Sequence, residues 1–147
     1  MPLSIPIQIV TPVQMSKING TNIVNFNQAG LTKYRSISST LSSLKKEYKI
    51  YVLDYFQKIK FAGVLAHELL HVWQYEKGIS LSSQLTEGLC NLASYLVYED
   101  INTDLSRMYI KFLQEDSDPI YGDGFRKVLE VYKRKKNIID TVNFLKC

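Results

Sequence analysis

The first third of the chain alternates short β-like runs with polar stretches. Residues 3–10 (LSIPIQIV) and 22–27 (NIVNFN) are apolar, partly β-branched runs bounded by Pro, Asn and Gly, and they predict two strands. The segment 18–21 between them is centred on an Asn-Gly pair and predicts a turn. The polar stretch 36–43 predicts a loop or a weak helix. Residues 48–53 (YKIYVL) alternate in the way that is typical of a third strand.

The spacing of apolar residues changes to a helical period at Asp54. A helix is predicted from Asp54 to Lys77, with the Asp54 carboxylate as its N-cap and Gln57 as the reciprocal partner. Gly78, after a basic last turn, suits the left-handed residue that ends many helices.

The rest of the chain is predicted to be mostly helical. The next helix starts around Ser82–Ser83. Its apolar stripe consists of Leu85, Leu89, Leu92, Ala93 and Leu96. Further helical patterns cover 104–114 and 123–136, and the segments 116–119 and 121–124 between them predict a loop. The predicted fold is α+β, a small N-terminal β-sheet followed by a mostly helical part.

Length and composition fit one domain over residues 1–147. The chain is 46% hydrophobic and 22% charged, an ordinary globular profile. Its two cysteines are too few for a disulfide-stabilised secreted domain, and Cys90, in an apolar helical stretch, is interpreted as a small buried hydrophobe. The N-terminus lacks the basic region of a signal peptide, and no apolar run reaches the ~20 residues that span a bilayer. We therefore expect a cytoplasmic protein without a membrane partner.

Much of the net charge of +4 comes from one basic run, Lys133–Lys136. Such a run can attract nucleic acid or anionic lipid. We favour the interpretation of a solvated helix end near the C-terminus, so nucleic acid is not an expected partner.

The two histidines of the chain lie four residues apart in the sequence His67-Glu68-Leu69-Leu70-His71. On a helix these two positions share one face, so both imidazoles can bind one ion, and zinc takes such ligands at about 2.0–2.2 Å. Glu68 is rotated about 100° from His67, where it can act as general base toward water acidified by the metal. The apolar flanks predict a buried helix, in which these polar residues need a partner such as a metal. A surface helix that carries the motif by chance is the alternative.

A catalytic zinc site needs a third protein ligand and an open fourth position. Glu87 lies 16 residues after His71 on the next predicted helix, and Gly78 is available to turn the chain between them. From the residues alone, Glu87 fits a metal ligand and an ordinary first-turn acid equally well. Cys90 is the substitute ligand. Asn91 fits either a partner of a ligand imidazole or a surface amide.

The oxyanion formed during peptide hydrolysis needs a donor besides the metal. Because both histidines are already assigned, a tyrosine or an arginine must serve. The chain has ten tyrosines, so the motif alone does not choose among them.

Several blocks of the chain resemble the DA1-like peptidase domain, a family best known from plant growth regulators. Residues 65–73 (LAHELLHVW) are similar to its active-site helix, and residues 86–91 (TEGLCN) to its Glu-Gly-Ile-Cys-Gln stretch. Residues 121–126 (YGDGFR) are similar to a third block. Weaker upstream similarity is found at 30–32 (GLT) and 51–53 (YVL).

The resemblance covers roughly residues 30–147 and implies a zinc endopeptidase with a gluzincin core. The residues implied as zinc ligands and base are His67, His71, Glu87 and Glu68. It also singles out Tyr121 and Arg126 as candidate oxyanion donors, with a structural role for both, at a tight loop formed by Gly122 and Gly124, as the alternative. Asn91 stands where the family has Gln. From two cysteines and 147 residues we expect neither a LIM zinc domain nor ubiquitin-interacting helices. The expected likeness is therefore to the stand-alone bacterial peptidase domain, without ubiquitin dependence.

The favoured function is zinc-dependent hydrolysis of peptide bonds in protein or peptide substrates. In zincins generally the substrate lies extended along the edge strand of the sheet, and residues 48–53 are the predicted candidate for that strand. Two alternatives stay open, a non-catalytic binding module braced by the metal and a nucleic-acid-associated protease. Sites of two histidines and one glutamate accept several divalent ions, so the motif does not fix the metal.

Overall fold

A computed structural model describes residues 4–21, 28–38, 44–54 and 57–147 of the chain. In chain order, the strands and helices of this part are β1 (Ile7–Val10), α1 (Pro12–Ile18), β2 (Gly30–Ser38), β3 (Leu44–Leu53), α2 (Lys58–Glu76), α3 (Ser83–Ile101), α4 (Asp104–Glu115), α5 (Tyr121–Lys135) and α6 (Ile138–Leu145). The architecture is α+β, as predicted, with a three-stranded sheet followed by helices. None of the helices in the described part is long and apolar enough to cross a membrane.

The sheet has the strand order β1-β3-β2, so β3 is its central strand. β1 runs parallel to β3, with Ile7 opposite Ile50, and β2 runs antiparallel to it, with Gly30 opposite Val52. The segment 48–53 therefore has a neighbour on each side. The expectation that it forms the edge strand is wrong, and β2 is the edge that faces α2.

The predicted strands are confirmed where the structure describes them. The run 48–53 lies within the longer β3, and the run 3–10 forms a strand over Ile7–Val10. The run 22–27 lies outside the described residues.

The sequence prediction misses β2. The prediction of a loop or weak helix at 36–43 is wrong for residues 36–38, which form the end of this strand. Residues 39–43 lie outside the described part. β2 is rich in polar residues, and its conformation is fixed by pairing with β3 and by cross-strand contacts such as the 2.7 Å ion pair between Arg35 and Glu47. Pairing between distant segments has overridden a weak local preference.

The short helix α1 is also missing from the sequence prediction. Thr11 caps it, because its side chain accepts from the backbone N–H of Gln14 while the Gln14 side chain accepts from the Thr11 N–H. This capping box, with Pro12 at the first helical position, is readable in the sequence. The predicted turn at 18–21 is present, but it ends α1 and does not join two strands.

The helix that carries both histidines, α2, begins at Lys58 and is not capped by Asp54. The backbone N–H of Asp54 donates to the carbonyl of Val10 at 3.0 Å and so continues the sheet. The N-cap is Gln57, whose side chain makes no capping hydrogen bond. The predicted end is confirmed, since Gly78 is left-handed with φ +58°.

The later helices agree with prediction except at two places. The helices expected after Ser82 and over 104–114 are confirmed as α3 and α4. The segment 121–124, predicted as part of a loop, is the first turn of α5. Its glycines serve close packing, because a Cβ atom at Gly122 would overlap the backbone of Asp116. The last helix, α6, was not predicted.

α2 lies between the sheet and the other helices. Side chains buried between the sheet and α2 are Tyr48, Ile50, Val52, Val64 and Val72. The opposite face of the sheet packs on α1 through Val10, Met15 and Leu53. The largest core belongs to the C-terminal helices and contains Leu89, Leu92, Phe125, Val128, Leu129 and Val142. One face of α2 thus meets β2 and β3, and another meets α3.

α3 and α5 approach each other closely at two glycines. A Cβ atom at Gly88 would overlap the backbone of Gly124, and one at Gly124 would overlap the carbonyl of Gln84. This contact places the first turn of α5 beside the part of α3 that carries Glu87.

Candidate metal centre

His67 and His71 project from the same face of α2, with ring centroids 5.1 Å apart. Both rings line a cavity of about 970 Å³ that is bounded by α2, β2, α3 and the start of α5. Their one-turn separation follows from the helical repeat, as the spacing of the motif predicts.

Glu87, from the first turns of α3, brings one carboxylate oxygen to both imidazoles. Its Oε2 lies 3.1 Å from Nε2 of His67 and 3.4 Å from Nε2 of His71. Two donors bound to one tetrahedral zinc ion at about 2.0–2.1 Å lie roughly 3.3 Å apart. The two separations from Glu87 Oε2 therefore match edges of a zinc tetrahedron, and the structure brings the three residues predicted as ligands within 4.8 Å of one another.

The hydrogen bonds of Asn91 fix the orientation of the His67 ring. Its Nδ2 group donates to the carbonyl of Tyr121 at 3.3 Å, so its Oδ1, 3.0 Å from Nδ1 of His67, accepts a hydrogen bond from that nitrogen. Nε2 of a neutral His67 then presents its lone pair to the Glu87 carboxylate. In this tautomer, Nε2 and the Glu87 oxygen are two acceptors 3.1 Å apart, and a cation held between them would be bound by both.

The pKa values of Glu87 and His71 are shifted in the directions that favour their charged forms. Burial alone would raise the pKa of the Glu87 carboxyl, but hydrogen bonds from His67 and His71 outweigh it and lower this pKa to about 2. Burial likewise lowers the pKa of His71, yet the hydrogen bond to Glu87 and the Glu87 charge raise it above its ordinary value. Both directions reflect the attraction between one carboxylate and the imidazoles beside it, a charge arrangement that a bound cation would also satisfy.

Cys90 lies one turn beyond Glu87, and its Sγ belongs to the same cluster, in which all candidate ligand atoms lie within 4.8 Å of one another. The side chain is fully buried, as predicted for a small hydrophobe. Gln74 donates to Sγ at 3.2 Å. Burial, with the charges of Glu87 and Glu68, raises the pKa of the Cys90 thiol well above its ordinary value, which favours the protonated form over a metal-binding thiolate.

Glu68 lies beside the cluster, buried to 5% exposure between α2 and β2. The hydroxyl of Thr32 donates to its Oε2 at 2.5 Å. A Cβ atom at Gly30 would lie 2.5 Å from its Oε1, so this glycine leaves room for the carboxylate. The side chain is held on two sides by β2 and lines the same cavity as the ligands.

Tyr121 and Arg126 occupy different environments. Tyr121 lines the cavity, and burial together with the charge of Glu87 raises the pKa of its phenol, which therefore stays a donor. Arg126 is outside the set of described residues that line the cavity. Its Nη1 donates to the carbonyls of Gln114 at 2.9 Å and Asp116 at 2.7 Å, so it braces the connection between α4 and α5.

Sequence reasoning missed two contributors to this cavity. Thr32 carries no motif, and only its place on β2 brings it to Glu68. Tyr75 lines the cavity one turn after His71 on α2, a spacing readable in the sequence once the helix is accepted. Burial, with the neighbouring Cys90 and Glu87, raises the pKa of the Tyr75 phenol, so it is a second neutral donor at the rim.

The basic run Lys133–Lys136 lies away from the cavity, at the exposed C-terminal end of α5. Arg134 and Lys135 place their charges over the ring of Phe144, at 5.5 Å and 5.1 Å from its centroid. This position matches the predicted helix end.

No protein-family model, no curated protein and no solved structure matches the chain.

Proposed function

We propose that the chain is a zinc-dependent endopeptidase. The observation that supports this most directly is the position of Glu87 Oε2 within 3.1 Å and 3.4 Å of the two imidazole nitrogens of His67 and His71. Three protein ligands of this type leave a fourth position open, the arrangement of catalytic zinc sites. The two nitrogens and one oxygen suit zinc, which these three residues would hold.

Glu68 is the proposed general base. When bound, zinc would supply the Lewis acidity that polarises a carbonyl group and acidifies water. Glu68 takes the proton from the attacking water and later delivers it to the leaving amine. Its hydrogen bond from Thr32 leaves Oε1 as the oxygen for this work.

A tyrosine at the rim is proposed to support the oxyanion. Tyr121 and Tyr75 both line the cavity, and burial raises the pKa of each phenol. Arg126 is not proposed for this role, because its guanidinium is engaged by carbonyls of the α4–α5 connection.

The substrate is proposed to lie extended along β2. This strand pairs with β3 on one side only among the described strands, and its residues Gly30 and Thr32 line the cavity beside Glu68. A peptide that adds to this edge would pass directly in front of the base.

The first test is zinc content by elemental mass spectrometry, together with hydrolysis of a mixed library of quenched fluorescent peptides. We expect about one zinc ion per chain in the wild type and in Glu68→Gln, and its loss in Glu87→Ala. Glu99→Ala, an exposed acid on the same helix, is the matched control and retains zinc. Hydrolysis should disappear in Glu68→Gln. A wild-type protein that takes up no zinc, or a Glu68→Gln variant with full activity, would overturn the proposal.

A second candidate function is a non-catalytic binding module braced by the metal. The observation in its favour is the proximity of Cys90 Sγ, within 4.8 Å of the other ligand atoms, since a fourth protein ligand would close the site. Cobalt substitution distinguishes the two. A thiolate-to-cobalt charge-transfer band that is lost in Cys90→Ala would indicate a structural site with four protein ligands. If the wild type shows no such band, the fourth position is open.

A further inference from the structure

We infer that Lys60 binds a carboxylate group of the substrate and so sets the specificity of the cavity. This inference rests on the proposed peptidase function, since it assigns a substrate feature to the same cavity. The carboxylate can come from an acidic side chain or from a free C-terminus, which present the same chemistry to an ammonium group.

Lys60 belongs to the face of α2 that carries the candidate ligands. Lys60, Val64, His67 and His71 follow one another at helical spacing, and all four line the cavity. Lys60 is seven residues before His67, which is about 10 Å along the helix axis. The cavity therefore has the candidate metal centre near one part of the helix face, and the lysine is attached to the helix about two turns away.

The ammonium group of Lys60 is placed to receive an anion. Its Nζ lies 5.5 Å from the centroid of the Tyr109 ring, and within the described part of the chain no carboxylate is within ion-pair distance of it. Burial lowers the pKa of Lys60, so the charge is held with reduced solvation. A carboxylate that enters the cavity supplies the missing counter-charge.

The two aspartates that line the cavity are held by the backbone of the connection before α5. Asp118 Oδ1 accepts from the backbone N–H groups of Ile120 and Tyr121, and Asp116 Oδ1 accepts from the N–H of Asp118. These bonds hold the connection before α5. On the α2 wall of the cavity, Lys60 is thus a cationic side chain that makes no ion pair within the described part of the chain.

The distance sets the position of the carboxylate in the substrate. An extended peptide advances about 3.3 Å per residue, so 10 Å corresponds to roughly three residues. We expect the preferred peptides to carry Asp, Glu or a free C-terminus about three residues from the bond that is cleaved.

The test compares quenched peptides that differ only at that position, with Glu, Gln or Lys there on either side of the cleaved bond. A further pair ends at that position with a free or an amidated C-terminus, which separates the two sources of the carboxylate. The measured quantity is the ratio of kcat/KM for the Glu peptide over the Gln peptide. We expect the ratio to fall at least about tenfold in Lys60→Met and to persist in Lys60→Arg.

Lys58→Met is the matched control, since Lys58 is an exposed lysine on the same helix that lines a separate pocket. It should keep the wild-type ratio. Lys60→Glu should shift the preference toward the Lys peptide, a gain that misfolding cannot produce. Equal ratios in the wild type and Lys60→Met, or no shift in Lys60→Glu, would overturn the inference.

Binding of the same peptides to the Glu68→Gln protein, followed by fluorescence anisotropy, separates this inference from the proposed function. Binding of Glu peptides that depends on Lys60, together with no cleavage of any peptide by the zinc-loaded wild-type protein, supports the role of Lys60 and rejects the peptidase. Cleavage without any preference for a carboxylate does the reverse.

Discussion

Oδ1 of Asn91 accepts a hydrogen bond from Nδ1 of His67 at 3.0 Å, while Nε2 of the same ring faces Glu87. Asn91 and Glu87 are one turn apart on α3. One helix therefore supplies both the third candidate ligand and the group that orients the first. The alternative of a surface amide is wrong, since Asn91 is buried.

Asn91→Ala should weaken zinc binding by about 10- to 100-fold, because the His67 ring loses the acceptor that selects its tautomer. Competition with a chromophoric chelator measures the affinity. Asn91→Asp keeps an acceptor and should bind zinc at least as tightly as the wild type. Asn143→Ala, an exposed amide on α6, is the control, and an unchanged affinity in Asn91→Ala would contradict the assigned role.

Thr32→Val should lower kcat by about tenfold while zinc content stays at the wild-type level. The substitution removes the hydroxyl that donates to Glu68 but keeps the shape of the side chain. Steady-state kinetics and elemental analysis on the same samples give the two quantities. Thr32→Ser retains the donor and should retain activity. Equal losses of kcat in Thr32→Val and Thr32→Ser would show that the hydroxyl does not support Glu68.

The metal-free protein should be most stable between about pH 4.5 and 6.5. The pKa of Glu87 is lowered to about 2 from an ordinary 4.5 by its imidazole partners, so its contribution is complete above pH 4.5 and is lost as the pH falls. The pKa of His71 is raised from 6.5, so its contribution is complete below that pH and is lost as the pH rises through the folded value.

Urea unfolding in the presence of a chelator, repeated across this pH range, measures the effect. We expect an amplitude on the order of 2 kcal/mol in the free energy of unfolding. Glu87→Gln removes the charge that both shifts depend on, so its stability should vary much less with pH. Parallel pH profiles for the wild type and the variant would contradict the coupling.

Zinc removal should lower the thermal midpoint of the wild type. A ligand that binds only the folded state stabilises it by about 2.7 kcal/mol at a concentration 100 times its Kd. Calorimetric scans with zinc and with chelator give the difference. Glu68→Gln should show the same difference, whereas Glu87→Ala should show little, and a zinc effect that survives in Glu87→Ala would point to another ligand.

Gly88→Ala should destabilise the fold by about 2 kcal/mol or more, because the added methyl group overlaps the backbone of Gly124. Chemical denaturation measures the loss. Ser83→Ala, at an exposed position on the same helix, is the control. Stability equal to the wild type would mean that α3 and α5 can separate without cost.

Local signals in the sequence predict the helical half of the fold well. The long periodic segments that became α2 and α3 combine an apolar stripe with a clear end, at Gly78 and at the Ser82 cap. The motif on α2 then brings both histidines to one face. The capping box at Thr11 also marks the start of a helix in the sequence. The helix that follows, α1, is too short to show a repeating pattern of apolar residues.

What the sequence could not predict depends on distant pairing. The central place of β3 follows from a parallel partner near the N-terminus, and the β2 strand is visible only through its partner. Likewise, the two interpretations of Asn91, a surface amide or a partner of a ligand imidazole, are distinguished only by its contact with His67 on α2. In each case the deciding contact joins segments far apart in the chain.

The three candidate ligands come from α2 and α3, which are consecutive and joined by a short connection at 77–82. Closing so short a loop costs little entropy, so the two helices become neighbours at a small conformational cost. Glu68 receives its support from β2, which reaches α2 only after the sheet has assembled. The proposed ligand set therefore depends on one helical hairpin, whereas the support of the proposed base depends on the assembled sheet.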